Sequence, residues 1–247
     1  MKNTLFTICL LLLFFNVNAQ IDTINAANHQ LLTQNLKSGT ATYLVYTADS
    51  LQTKRTIGGL WRRTTTLKTL NDQAVVEFTW KSVFGDTLSS TITNICDAKT
   101  LAPIYHHANY KNRGISAYAY KNGYLIPSDT VKNNLALKKD KIELTIPVLS
   151  WEQDLETYPL LPIKSVGQKF DISFYDPTGK TPTYHRYEVI GKEDLALNGE
   201  TKVKCWLLKA FYSKDNWSVF WLTDKNKEVI KMREYYKGRY HFLLKQY

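Results

Sequence analysis

The stretch "WSVFWLTDKNKEVIKM", Trp217–Met232, decides how this chain folds. Two runs rich in bulky apolar residues flank a polar connection, Asp224-Lys225-Asn226-Lys227, the pattern of two β-strands joined in a hairpin. Side chains alternate along a strand, so Trp217, Val219 and Trp221 point one way and Ser218, Phe220 and Leu222 the other. A wall this aromatic either fills a core or lines a space for an apolar ligand. Both readings stay open at the level of the hairpin.

Outward from the hairpin the strand signals continue. Arg239–Tyr247 follows it; Lys202–Tyr212 and Tyr184–Ile190 precede it, and before them Phe170, Ile172 and Phe174 share a face. Asp176-Pro177-Thr178-Gly179 places Asp, Pro and Gly where a type I turn favours them. Short strands recur in "IYHHANY", "ISAYAYKN" and "GYLIP", separated by Asn/Gly turns. In Val75–Phe84, Val76, Phe78, Trp80 and Phe84 lie opposite Glu77, Thr79 and Lys81. The Thr-rich segment Lys54–Leu67 is interrupted by Gly58-Gly59, which predicts a bulge or sharp bend. Ala41, Tyr43 and Val45 alternate with Thr42 and Leu44. The chain thus predicts roughly ten or more strands joined by short turns, and the crossover helices of a parallel sheet are missing. The expected fold is mainly β: a single, strongly curved antiparallel sheet, a half-barrel, with one or two short helices packed on its concave side. No Pro-, Ser- or Gly-rich linker divides it, so residues 20–247 are expected to form one domain.

Two segments depart from strand patterning. Asp22–Lys37 reads as a short helix capped by Asp22, with Ile24, Ala27, Leu31 and Leu32 along one face and Gly39 after its end. The second is Trp151–Thr157, where Ser150 and Gln153 form a capping box and Trp151, Leu155 and Tyr158 fall on one side. Glu152, Asp154 and Glu156 suit the positive end of this helix and are expected to cap it and face solvent. Pro159 and Pro162 stop it.

The first residues point to export. Lys2 precedes an apolar run from Leu10 to Phe15, and Val17-Asn18-Ala19 supplies small enough residues for cleavage after Ala19. Residues 1–19 are therefore expected to be a signal peptide, and the mature chain to be periplasmic or secreted. The run falls short of the roughly 20 residues that span a bilayer. Without residue Lys2 the chain carries 31 basic against 22 acidic side chains, a net charge of +9. In that compartment a basic chain suits lipid headgroups, acidic glycans or an anionic membrane surface, and nucleic acid is not an expected partner. Lysines that alternate with apolar residues, as in Lys202-Val203-Lys204, equally serve to keep the outer face of a sheet wet.

After cleavage two cysteines remain, Cys96 and Cys205. An oxidising compartment lets them pair, a bridge worth about 4.7 kcal/mol in the chain-entropy model. As separate buried thiols they would act as small hydrophobes.

Signatures of catalysis are absent: no GxSxG, HExxH, phosphate-binding glycine loop or CxxC. His106 and His107 are strand neighbours that point to opposite faces, so no metal site is expected, and no cofactor. His185 and His241 are expected at the sheet surface. The aromatic residues carry the functional reading. Phe78, Trp80, Phe84, Trp151, Leu155, Tyr158, Phe174, Trp217 and Trp221 are the candidate lining of an apolar cavity, with the helix at Trp151 as its lid. The competing reading makes the same residues an ordinary core.

The order and spacing of "TLAP" (Thr100–Pro103), "YPLLP" (Tyr158–Pro162), "GQKFDISFYDP" (Gly167–Pro177), "YEVIGKED" (Tyr187–Asp194) and "WLTDKNKEVIKM" (Trp221–Met232) resemble a secreted bacterial envelope family of unknown function. Its members are similar in architecture to the lipoprotein-localisation carriers (LolA/LolB-like), in which an unclosed, bent antiparallel barrel holds helices in an apolar hollow. The resemblance covers the mature chain and implies a fold and no catalytic residues. The expected function is non-enzymatic binding of an apolar or lipid-like ligand, such as an acylated one, by a monomer. A structural or protein-interaction module with a packed interior, docking another envelope protein, is the alternative. A hydrolase of envelope polymers is a third, with His185, Asp171 and Glu188 as its candidates.

Overall fold

A computed structural model describes residues 21–247 except 50, 52, 180 and 199; the expected signal peptide lies outside the described residues. The chain starts in β1 (Ile21–Ile24) and continues through β2 (Gly39–Ala48), β3 (Arg55–Leu70), β4 (Gln73–Phe84) and β5 (Thr87–Asp97). β6 (Pro103–Tyr110), β7 (Gly114–Lys121), β8 (Tyr124–Pro127) and β9 (Ile142–Glu143) complete its first half. The chain then leaves the sheet for β10 (Leu149–Ser150) and a helical plug, α1 (Asp154–Thr157), flanked by 3-10 turns at Trp151–Gln153 and Tyr158–Leu160. β11 (Lys169–Ile172), β12 (Phe174–Tyr175), β13 (His185–Asn198) and β14 (Thr201–Ser213) follow. β15 (Asn216–Thr223), β16 (Val229–Tyr236) and β17 (Arg239–Gln246) end it.

Because β17 pairs with β2, the two halves join in one sheet of 15 strands, in the order β1-β11-β13-β14-β15-β16-β17-β2-β3-β4-β5-β6-β7-β8-β9. Its neighbours are antiparallel except β1 and β11, which run parallel, so the sheet is mixed at one edge. β10 and β12 form a separate parallel pair. The edges β1 and β9 are not joined, and the barrel stays open.

The sheet must curl, and the plug shows by how much. Gln153 accepts a hydrogen bond from Cys96 on β5, and Tyr158, five positions on, bonds Tyr187 on β13. β5 and β13 stand eight places apart in the strand order. In a flat sheet that is roughly 38 Å, which a few helical residues cannot bridge. A bulge assists: Gly58 is the extra residue opposite Val45 and Tyr46, as the Gly58-Gly59 pair predicted.

The face that meets the plug is the inner one, and it buries Val76, Phe78, Leu208, Phe220, Leu222 and Leu243 with Leu155, Tyr158 and Leu160 of the plug. Each such side chain stabilises the fold by about 1.5–3 kcal/mol. The opening hairpin forms as expected, with Trp217 opposite Tyr235 and Phe220 opposite Met232. The face that meets the plug is that of Ser218, Phe220 and Leu222. Trp217, Val219 and Trp221 lie on the other side, in a separate cluster with Leu195, Cys205 and Ile230.

Two further expectations are corrected, and of the two alternatives left open for the cysteines the separate buried thiols are found. Asp22–Lys37 is not a helix: Ile21–Ile24 pair with Lys169–Ile172, and Asp22 accepts from Gln168 rather than capping. Next, Asn25 turns the chain, its side chain accepting from the backbone N–H groups of Ala27 and Asn28. These asparagine bonds compete with helical ones and win, leaving only a 3-10 turn at Thr33–Asn35. Ser150 does not complete a capping box; its hydroxyl lies 3.1 Å from Asn94 Oδ1 and 2.9 Å from Glu152 Oε2. Cys96 and Cys205 are free thiols rather than a disulfide, Cys96 buried in the inner core and Cys205 in the outer cluster. The sheet itself separates them.

Gly59 has a φ of +118°, and a Cβ there would sit 2.2 Å from the Val83 carbonyl oxygen. Gly59→Ala is therefore expected to destabilise the protein by about 2 kcal/mol or more, measured as a lowered urea midpoint. Burial pushes the Cys205 thiol up to about 11 and raises Cys96 further still. Neither should react with Ellman's reagent at about pH 8 until the protein is unfolded, since thiolate and access are both lacking.

Candidate functional site: two hollows beside a buried arginine

Arg63 is the inward-facing charge of β3, 3% exposed, with Trp61 and Thr65 on the same side of the strand. Its Nε donates to Glu156 Oε1 at 2.8 Å, and Nη2 lies 2.6 Å from Glu156 Oε2, a bidentate pair. The same Nη2 lies 2.6 Å from the Glu152 carbonyl oxygen and 3.2 Å from Asp154 Oδ1. One guanidinium thus gathers three successive acids of the plug. Burial works against its charge, but Glu156 and Asp154 more than offset this and hold its pKa above the ordinary arginine value. Its carbon also sits 5.0 Å from the Trp80 ring centre, in a cation–π arrangement.

The expectation that Glu152, Asp154 and Glu156 face solvent is overturned. Glu156 and Asp154 bind Arg63, and Glu152, 9% exposed, joins Ser150 in a second buried network. There His106 Nδ1 donates to Asn94 Oδ1 at 2.8 Å, and its nearest approach to Glu152 is 3.9 Å. Burial raises Asp154 from 3.8 to about 6; Arg63 opposes the rise and Glu156 adds to it.

The plug fills the middle of the concave face. Tyr158 packs at a tilt against Phe220, ring centres 4.6 Å apart, and meets Tyr187 and Phe174, all four essentially inaccessible. Space remains on both sides. A hollow of about 600 Å³ opens between the plug, the Leu32–Ala41 segment and the turn after β15. Leu36, Ala41, Leu155, Leu161 and Val229 supply its apolar wall, while Lys37, Lys225, Lys227 and Lys245 stand among its lining. Lys245 pairs with Glu228 and Lys227 donates to the Asp224 carbonyl; Lys37 and Lys225 are exposed and have no ion pair among the described residues. The smaller hollow, about 330 Å³, lies on the other side of Arg63. Trp61, Trp80 and Trp151 form its walls, and the acidic residues Glu152, Asp154 and Glu234 are among its lining.

The sequence-derived cavity residues therefore divide four ways. Trp80 and Trp151 line the smaller hollow and Leu155 the larger. Phe78, Tyr158 and Phe174 are packed core. Phe84, at the end of β4, is 60% exposed. Trp217 and Trp221 belong to the outer face, where Lys231 covers Trp221 at 4.6 Å and Arg233 stands 5.4 Å from Trp217. That face carries an aromatic row across four strands: Trp217, Tyr235, Tyr240, Phe242 and Tyr46.

The proposed hydrolytic set does not converge. Asp171 pairs with Arg186 on the outer face, and Glu188 shares that face, whereas His185 lies inside, 4.9 Å from the Trp151 ring. His185 is half-buried rather than at the surface, and burial lowers its pKa. Among the described residues, no group of three or more His, Cys, Asp or Glu side chains is arranged to hold a metal. No helix among them is long and apolar enough to cross a membrane.

A protein-family model described as "Protein of unknown function (DUF3108)" matches residues 39–244, from the start of β2 into β17. The chain belongs to the DUF3108 family. No curated protein matches it. Among solved structures, this DUF3108 chain is similar to a β-barrel-like protein with a domain of unknown function, DUF1849, from Brucella abortus. The two are 11% identical with a TM-score of 0.53, over 85% of this chain and 96% of that one. At that identity the likeness concerns the fold: an open, barrel-like sheet.

Sequence reasoning missed Arg63, Trp61, Tyr212 and Glu234, although each was readable in part. In "GGLWRRTTT" a charge on the face of Trp61 was the available signal, but the glycine bulge hides which residues point inward.

Replacing Arg63 by Met is expected to cost about 3–5 kcal/mol at neutral pH, because it leaves buried carboxylates unpaired. A lowered urea midpoint checks this. Asp154 has its folded pKa above the unfolded one, so its contribution is complete below about pH 3.8 and lost as pH rises through about 6. Asp154→Asn should therefore flatten the fall in stability across that window, read from urea midpoints at a series of pH values.

Proposed function

We propose that this protein is a secreted, non-enzymatic envelope protein that binds an apolar or amphiphilic ligand inside the concave face of its sheet. The observation that carries this is the larger hollow. Its volume of about 600 Å³ falls in the roughly 300–1,000 Å³ range of small-molecule sites. Its mixed lining, with Leu36, Leu155, Leu161 and Val229 beside several lysines, suits an amphiphile that has an acyl chain and an acidic head. Burying such a chain yields about 0.8 kcal/mol per CH₂, enough for binding without catalysis. Export rests on the signal pattern of residues 1–19. The motifs that resemble an envelope family of carrier-like architecture point to the same reading.

A second reading, an envelope protein-interaction module, is favoured by the packed centre around Tyr158 and by the aromatic row on the outer face. The two differ in what co-purifies. Native mass spectrometry of the chain recovered from a periplasm, followed by solvent extraction, is expected to give a reproducible added mass that extracts as lipid. A clean unliganded mass, with no uptake of offered fatty acids or phospholipids, would move the reading to the interaction module. Ala41 lines the hollow, so Ala41→Trp should fill it and reduce uptake about tenfold or more while circular dichroism stays unchanged.

A further inference from the structure

We infer that the smaller hollow is a binding site for a small organic cation, a quaternary or alkyl ammonium group. This is independent of what occupies the larger one.

Six of the residues that line the smaller hollow carry aromatic rings: Trp61, Trp80, Trp151, Tyr212, Phe220 and Tyr236. They come from β3, β4, the plug, β14, β15 and β16, so the curled sheet brings them round a space from five strands. The three tryptophans and Tyr212 are only half-buried and Tyr236 is exposed, in contrast to the packed Tyr158, Tyr187 and Phe174 on the same inner face. Trp61 and Trp80 meet edge to face at 4.5 Å, so the two rings in the wall are differently oriented. The negative faces of such rings attract cations, and cages of them recognise alkylated ammonium groups. One cation already uses this wall: the Arg63 guanidinium over Trp80.

Charge points the same way. Glu152, Asp154 and Glu234 reach this hollow against a single basic side chain, Arg63, whose fork is also committed to Glu156 in the other hollow. Glu234 has a hydrogen bond from Ser218 and His241 beside it across the strand pair, but no lysine or arginine within ion-pair distance among the described residues. Burial raises its pKa, as it does that of Asp154. Carboxylates that the fold desolvates without fully pairing favour a ligand that brings positive charge. A hydrophobic ammonium suits this site better than a small metal ion, because aromatic walls supply no metal ligands. The larger hollow, with five basic and two acidic lining residues, has the opposite preference. The two sides of Arg63 are thus complementary in charge.

The test uses the full mature chain and choline as probe, with its neutral isostere 3,3-dimethyl-1-butanol as the matched control. Tryptophan emission and calorimetry are expected to report saturable choline binding with a Kd of about 1 mM or tighter, and isostere binding at least roughly tenfold weaker. Glu234→Gln should weaken choline binding about tenfold, and Trp61→Leu likewise, with thermal unfolding confirming that each variant is folded. A lysophosphocholine with a short acyl chain separates the sources: tighter, Glu234-dependent binding than choline assigns the ammonium to a lipid headgroup, and equal binding assigns it to a free solute. No saturable binding by the wild-type protein, or equal binding of choline and its isostere, would overturn the inference. Neither result bears on lipid uptake by the larger hollow, which is read with fatty acids and the Ala41→Trp variant.

Discussion

A single arginine holds the inside of this sheet to the helix that fills it. Arg63 projects from the inner face of β3 and binds the side chains of Asp154 and Glu156 and the backbone of Glu152. A charge this buried is tolerable because its Nε and Nη2 find oxygens on the plug, so the plug's position is set by hydrogen-bond geometry as well as by apolar burial. The plug in turn spans strands that lie eight places apart in the sheet order, so the curl of the whole sheet depends on where it sits. Bidentate pairing fixes the angle at which the helix crosses β3, and Tyr158, Leu155 and Leu160 complete the seal by apolar contact.

That arrangement also explains the two hollows. A plug of a few helical residues with its flanking turns cannot fill a surface made by 15 strands, so space is left at each of its ends. Arg63 stands between the two spaces and lines both. Its carboxylate partners divide them electrostatically, Glu156 toward the larger hollow and Asp154 toward the smaller. On one side the remaining charges are four lysines against Glu228; on the other they are acids among tryptophans. A molecule of one chemistry is therefore favoured in one hollow and disfavoured in its neighbour, at a separation of one side chain.

The outer face follows a different logic. Trp217 and Trp221 are as aromatic as anything inside, yet they are covered by their neighbours on the strands and by the stems and charges of Lys231, Lys209 and Arg233. Long basic side chains laid over rings bury apolar surface while keeping their charged ends near water. This accounts for these three basic side chains without a partner. It also explains why an aromatic strand pattern does not by itself reveal which face is inside.

Strand existence, the hairpin at Trp217–Met232, the bulge at Gly58, the type I turn at Asp176–Gly179 and the short helix at Trp151 were legible in the sequence, because each is set by alternation or by turn chemistry among near neighbours. The segment after Asp22 was misread, since its apolar spacing fits a helix and its outcome depends on pairing with β11, far away in the chain. The open, curved and mainly antiparallel sheet was foreseen from short turns and missing crossover helices, whereas the parallel β1–β11 pair that makes it mixed at one edge was not. What the sequence could not determine was which side of each strand faces the plug. Alternation defines two faces and names neither, and one bulge exchanges them. That choice was made by Arg63 and its acids, which are remote in sequence and meet only when the sheet has curled. The tertiary structure therefore decided that Phe220 is interior and Trp221 exterior, and that Glu234, Trp61 and Trp80 share one hollow.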